Sequence, residues 1–324
     1  MSQLIMEDLK EYPSSYVSNR DVGDVLIGED TARLVIEASS SGDDTALQSL
    51  LSQPQWIKTI LDRPHTIYGE DRPCQGPNDA RDVSATPTSN VERAVEAAAS
   101  NGQAAVVSTL LTFAKQQGLG AFDVIQRTTI NKIIRGGHAA VFRALASADP
   151  KLVNFHIHHG IRPLYEAVRL RAPEVVAVLL ECGADPFHPV EPSKQIGGYP
   201  SSLLSRAAFA TDPRITEMLL EHGLPIPQSA AIHAAARCGR LDTMRLLMEH
   251  GADLNEVLPN WLGWTPMHFA GAKGQVDAMK WLEHKGARSD LEDKNGKTPA
   301  RLLEQWNAAP EESRRVEMPK FIYE

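Results

Sequence analysis

The chain is poor in cysteine, in aromatic residues, in long apolar runs and in positive charge, and each shortage removes a class of protein. Its three cysteines, Cys74, Cys182 and Cys238, are odd in number and scattered, with no CxxC pair. Such a set builds neither a disulfide framework nor a zinc knuckle and reads as free thiols in a reducing compartment. No apolar run approaches the ~18–20 residues that span a bilayer. The opening MSQLIMEDLKEYPSS carries acids where a secretory signal carries bases, so the cytosol or nucleus is the expected location. A net charge of −8 argues against broad affinity for nucleic acid or an anionic membrane and leaves a local basic patch open. Catalytic signatures are missing too: there is no glycine-rich phosphate loop, GxSxG elbow, HExxH pair or spaced carboxylate pair.

What is present is a repeated unit. Its cleanest copy, Trp264 to Arg288, reads WTPMHFAGAKGQVDAMKWLEHKGAR. Thr265-Pro266 starts a short helix with proline at the first helical position, where its missing N–H is no loss. Gly274 ends that helix, and a second helix from about Val276 to His284 is closed by Gly286. Helices this short are marginal alone, since isolated helices below about 12–15 residues do not hold in water. The unit must be stacked on copies of itself.

With Thr265 as the first position of a unit, earlier first positions fall at Arg33, Arg93, Thr128, Arg162, Ser202 and Ala230, and a partial last unit begins at Thr298. The sixth position is Ala38, Ala98, Ile133, Ala167, Ala207, Ala235 and Ala270. Twelve residues further stand Leu50, Leu110, Leu145, Leu179, Leu219, Leu247 and Leu282. A small residue suits the contact between neighbouring first helices, and a leucine fills the layer between second helices. Four consecutive units end on Gly183, Gly223, Gly251 and Gly286. A core made of a thin strip of Ala, Leu and Val also fits 42% hydrophobic residues with only 6% aromatic.

A unit that starts TPMH, continues AxxxG and closes LLxxGAD resembles the ankyrin repeat. The best matches are Pro163 to Asp185, Ile232 to Asp253 and the Trp264 stretch, and the resemblance covers residues 31 to 306; the first and third units are degenerate and lack the terminal glycine. It implies an all-α ankyrin-repeat solenoid of about seven to eight helix–turn–helix units with β-hairpin fingers, and a protein as partner. The expected organisation is an N-terminal cap or extension over 1–30, with a short helix Gln3 to Glu11; an ankyrin repeat domain over 31–306; and a C-terminal tail over 307–324. The first spacing, 60 residues, exceeds one repeat and predicts a flexible insertion over 52–90, proline-rich, with a short helix over Trp56 to Leu61. Later spacings of 40 and 28 residues predict one long finger, Phe187 to Pro200, beside a shortened connection, Leu224 to Ser229.

Candidate site residues follow from the same register. HIHHG, His156 to Gly160, aligns on the finger pattern and lacks a carboxylate or cysteine to complete a ligand set, so no metal and no cofactor is expected. His233 and His268 hold the fourth position, where the family uses histidine to hydrogen-bond between repeats. In the ankyrin arrangement the eighth and ninth positions face the concave groove, as do residues flanking the finger glycine. These are Arg135, Arg169, Leu170, Phe209, Arg237 and Lys273, with Trp261, Leu262 and Trp264 around Gly263. The expectation is a groove that takes an acidic segment whose apolar anchor rests on Trp261 and Trp264. The competing reading is that the bases merely complement helix C-termini, by about 0.3–1 kcal/mol each, and that the tryptophans pack on a neighbouring finger.

Three functions compete. The first is a protein–protein interaction scaffold or adaptor, binding through groove and fingers, with no direct nucleic acid or membrane contact. The second is a transcriptional co-regulator docking on a DNA-binding protein; residues 1–30 hold only Lys10 and Arg20 as bases, so DNA contact must be borrowed. The third is an enzyme with a site on the repeat scaffold, for which no motif speaks.

Overall fold

The computed structural model describes residues 22–62, 89–155, 157, 161–187, 202–258 and 261–310. The Gln3 to Glu11 helix, most of His156 to Gly160, the long finger beyond Phe187 and the tail from residue 311 lie outside these residues. Seventeen α-helices make up the described fold, as expected of the all-α class, and the chain divides into two compact units, residues 1–129 and 130–324.

In the first unit α1 (Val22–Ser41) packs against α2 (Asp44–Leu51), α3 (Pro54–Leu61) and α4 (Asn90–Ser100), while α2 also meets α5 (Ala104–Gln116) and a short α6 (Ala121–Val124) follows. Three expectations shift here. The boundary at residue 30 falls inside α1, a helix of 20 residues. The layer leucine of the first unit is Leu47, fully buried, with Leu51 beside it, whereas Leu50 sits half-exposed at the rim. Asp43 caps α2 by accepting the Ala46 N–H at 2.9 Å, and on the eight-residue helix it starts, the pair four apart faces inward. Finally, part of the 52–90 insertion is packed: the helix expected over Trp56 to Leu61 exists, started by Pro54 and anchored by buried Ile60. Its end is tied to α4, where Asn90 donates its N–H to Asp62 at 3.1 Å and its Nδ2 to Thr59 at 2.9 Å. Pro54 reads as a breaker in the sequence, yet at the first helical position it costs no hydrogen bond. Residues 63–88 lie outside the description.

In chain order there follow α7 (Arg127–Gly136), α8 (Ala139–Ala148), α9 (Pro163–Arg169), α10 (Pro173–Glu181), α11 (Leu203–Ala208), α12 (Arg214–Glu221), α13 (Ala231–Arg237), α14 (Leu241–Glu249), α15 (Pro266–Gly271), α16 (Val276–His284) and α17 (Pro299–Ala308). First helices stack in sequence, α9 on α11, α11 on α13, α13 on α15 and α15 on α17, and second helices α8, α10 and α12 do likewise. Ala167, Ala207, Ala235 and Ala270 sit buried between first helices, and Leu179, Leu219, Leu247 and Leu282 are fully buried in the layer of second helices. How close the first helices come is shown by Gly271, where a Cβ would strike the Pro299 carbonyl. The register read from the sequence therefore holds through this unit. In the turns after α7, α13 and α15 stand Gly137, Gly239 and Gly274 with positive φ, and in the turn after α9 Arg171 holds φ 57°.

Candidate groove at the ends of the first helices

The expected β-hairpin fingers do not form strands among the described residues, and the two tryptophans around Gly263 are buried instead of facing a groove. Trp261 is 4% exposed and Trp264 3%, both inside a cluster with Leu258, Phe269, Ala272 and Leu302. The chain reaches this arrangement by a tight turn: the Trp264 N–H donates to the Trp261 carbonyl at 2.9 Å across Leu262 and Gly263, both with positive φ. Two successive left-handed residues are the signature of a type I′ turn. The Trp264 indole N–H then donates to Asp293 at 2.9 Å, and both indoles lie within about contact range of the Phe269 ring, at 4.8 and 5.1 Å between centroids. Leu262 is half-buried and its carbonyl accepts the Lys294 N–H at 2.8 Å. Neither indole face is open to a partner, so the anchor assigned to Trp261 and Trp264 is not carried forward.

The helix-end residues have different fates. Arg135 is exposed in the last turn of α7. Arg169 grips Glu166 with two nitrogens, and the Glu166 side chain is 4% exposed, so this guanidinium is largely spent on a buried carboxylate. Leu170 and Phe209 are C-cap residues, each half-buried. Arg237 lies over the Phe209 ring at 5.9 Å, and Lys273 over the Trp306 ring at 5.4 Å. Trp306 was not among the sequence candidates, yet it holds the ninth position of the last, partial unit, the same offset as Lys273. That offset was the available signal. The turn around Gly274 is shaped to this ring, since a Cβ there would strike the Trp306 indole.

The order along the stack is therefore Phe209, Arg237, Lys273, Trp306: two cations between two aromatic rings, on four consecutive units. Cys238 sits half-buried among them. Burial pushes its thiol up, while Arg237, Arg240, Arg171 and Lys273 pull it back down. Lys273 is itself pushed down, first by burial and then by Arg237. Arg240 is turned back to donate Nε to the Phe209 carbonyl at 3.3 Å. No group of three or more His, Cys, Asp or Glu side chains able to hold a metal exists among the described residues.

A family model described as "Ankyrin repeats (3 copies)" matches residues 204–299. Protein phosphatase 1 regulatory subunit 27 of Homo sapiens is 35% identical over 75 residues, 23% of this chain and 47% of its own length. Cyclin-dependent kinase 4 inhibitor B of Rattus norvegicus is 32% identical over 115 residues, 34% of this chain and 81% of its own length. The chain belongs to the ankyrin-repeat family. The ankyrin repeat domain of human ASB11 superimposes with a TM-score of 0.50 at 25% identity, over 65% of this ankyrin chain and 94% of that one. The chain spans about half the length of the phosphatase subunit it matches, 47%. Within the ankyrin unit His268 plays the expected part: its Nδ1 accepts from Thr265 Oγ1 at 2.8 Å and its Nε2 donates to the Lys297 carbonyl at 3.1 Å, joining two repeats. Among the described residues no helix is long and apolar enough to cross a membrane.

Proposed function

We propose that this ankyrin stack is a non-catalytic adaptor that binds a partner protein along the ends of its first helices, in the cytosol or nucleus. The observation that carries the reading is the row Phe209, Arg237, Lys273 and Trp306, in which cation and ring pair at 5.9 and 5.4 Å on consecutive repeats. Cations and aromatic rings recur at binding hot spots, because each combines a large contact face with a directional polar or charged group. Relatives named as a phosphatase regulatory subunit and as a kinase inhibitor support a protein that acts on another protein. The partner segment is acidic, which suits the two cations, Arg237 and Lys273, at the centre of the row. Its apolar residues rest on Phe209 and Trp306. Arg135, Arg169 and Leu170 extend the same face, with Arg169 contributing least because Glu166 already neutralises it.

Affinity capture with the full chain tests this. Proteins retained by the wild type are compared with those retained by an Arg237→Glu, Lys273→Glu variant whose helical content is checked by circular dichroism. Partners should vanish from the variant. Identical captured sets would place the contact elsewhere.

A further inference from the structure

The first unit carries an apolar valley on the side of α1 and α2 that no described helix covers. Asp43 caps α2 so that Leu47 and Leu51 point inward, which leaves Leu50 half-exposed on the outer side. On α1 the residue that faces the same way is Leu34, 44% exposed and one turn before Ala38. Between the two helices lies a groove of about 490 Å³, lined among the described residues by α1, α2 and the turn at Asp43 alone. Leu34, Ala38, Ala46 and Leu50 supply its apolar surface, and Glu37 and Asp43 stand exposed at its rim.

Shape and charge each narrow the occupant. From Leu34 to Ser41 the valley follows α1 for about 10 Å, two helical turns at about 1.5 Å per residue. A valley of that length between two helices, with an alanine on each side, is filled by a third helix whose apolar side chains recur every three or four residues. No basic residue lines it among the described residues. The stretch 22–62, which forms α1 to α3, holds Asp24, Glu29, Asp30, Glu37, Asp43, Asp44 and Asp62 as acids and only Arg33 and Lys58 as bases. Occupants from this chain fit that sign badly. Residues 1–21 bring Glu7, Asp8, Glu11 and Asp21 against Lys10 and Arg20, and a second copy on the same face would bring two acidic rims together.

We propose that this face is a docking surface of its own, which takes a basic amphipathic helix of a partner protein. The helix lays its apolar stripe on Leu34, Ala38, Ala46 and Leu50, and the lysines or arginines beside that stripe meet Glu37 and Asp43. Exposed apolar surface with a rim of one charge marks a protein-binding face, because burial supplies affinity and the rim selects the partner's sign. The valley thus differs from the row Phe209 to Trp306 in what it selects. That row offers cations to an acidic segment, and this valley offers acids to a basic one.

The test uses the full chain and three immobilised libraries of peptides of about 14 residues, enough for four helical turns. The first library carries Leu, Ile, Phe or Met every three or four residues with Lys or Arg beside them. The second replaces each base with Glu, and the third keeps the composition of the first in scrambled order. At about 150 mM salt the first should bind the chain about tenfold more tightly than either of the others. Leu34→Ser should weaken that binding at any salt, and Glu37→Lys should weaken it most at low salt; both positions are exposed, so both variants keep the fold. Equal binding of the first and third libraries would be charge attraction without a groove, and it overturns the proposal. Binding indifferent to Leu34 and Glu37, or a preference for the Glu library, overturns it too. So does failure of the wild type to bind the first library. In that case, binding that appears in an Ile5→Glu, Leu9→Glu variant would assign the valley to the chain's own first residues, and a dimer in light scattering that Leu34→Ser dissociates would assign it to a second copy.

Discussion

Two neighbouring repeats solve the same local problem differently. At Thr265 the first helix begins from an extended residue, φ −89° and ψ 168°, and the threonine hydroxyl meets His268 Nδ1 at 2.8 Å. At the equivalent place Ala230 has no hydroxyl. Its backbone is left-handed, φ 61°, and so is that of Gln228, φ 62°. His233 still spans to the next repeat, donating Nε2 to the Glu256 carbonyl at 2.8 Å, but its buried Nδ1 makes no hydrogen bond among the described residues, with Glu256 Oε2 3.7 Å away. The cause lies in the connection before it, which closes 28 residues after the preceding unit begins instead of the 35 that separate Ala230 from Thr265. A shortened connection must turn sharply into α13, and Glu256 braces the turn by accepting the Gln228 N–H at 2.7 Å. A deletion between repeats is thus absorbed as local strain and one unsatisfied polar atom, each worth about 1–3 kcal/mol, while the stacked helices on either side are unchanged.

The largest expected effect breaks the intact side of this comparison. Trp264→Ala removes a buried indole from beneath the Thr265 turn and should cost about 3–5 kcal/mol in chemical denaturation. Trp264→Phe keeps most of the packing, loses the bond to Asp293 and should cost less than half as much. Had Trp264 been a surface anchor, stability would be nearly unchanged and only binding would fall, so a loss below about 0.5 kcal/mol contradicts the burial.

Next comes acid. His233 is held down to about 4, by burial first, against the Glu256 carbonyl and the Asp253 charge, which favour its protonation. The ordinary histidine value is near 6.5, so the unfolded chain binds the proton first as pH falls. Stability from neutral His233 is therefore full above about pH 6.5 and is lost as pH drops through about 4, on the order of 3 kcal/mol in all. Burial also pushes Glu256 up, and that works in the opposite direction: its contribution is present below the ordinary carboxylate range and is lost as pH rises. Glu256→Gln should accordingly steepen the loss in acid. His268 is also pushed down by burial, but its Nδ1 is satisfied. Imidazole resonances should show His233 as the last of the two to protonate, and the reverse order would contradict the comparison.

Much of this was legible in the sequence, and the parts that were not share a cause. The alanines, leucines and terminal glycines of the second unit follow from register alone, because each answers to the same neighbours in every repeat. The fate of Trp261 and Trp264 does not, because two tryptophans on one turn read alike whether they face solvent or core. What decides is Asp293, 29 residues beyond Trp264, and the position of α17. Leu47 was missed for Leu50 because α2 starts from an Asp43 cap that resets which face points inward. Trp306 was missed although its offset was known, since the last unit was read only as a partial helix.

A smaller change should turn the intact repeat into a copy of its neighbour. Thr265→Ala removes the hydroxyl from His268 Nδ1, which still accepts the residue-265 backbone N–H at 3.2 Å, and should cost about 0.5–1.5 kcal/mol, the usual range for one lost hydrogen bond. His268 should keep its bond to Lys297, and the repeat should stay folded, as the Ala230 repeat does. A loss above about 4 kcal/mol would mean that the Ala230 repeat survives by its Glu256 brace and that a hydroxyl is indispensable without one.

The smallest effect has the opposite sign. Arg171 occupies the turn after α9 at φ 57°, where the corresponding turns hold Gly239 at 65° and Gly274 at 66°. A left-handed conformation costs a residue with a side chain about 1–2 kcal/mol, while glycine gives back about 0.5–1 kcal/mol through the greater freedom of its unfolded chain. Arg171→Gly should therefore stabilise the fold by about 0.5–1 kcal/mol, a shift visible in the denaturation midpoint. An unchanged or lower midpoint would mean that contacts of the arginine stem offset the strain of its left-handed backbone.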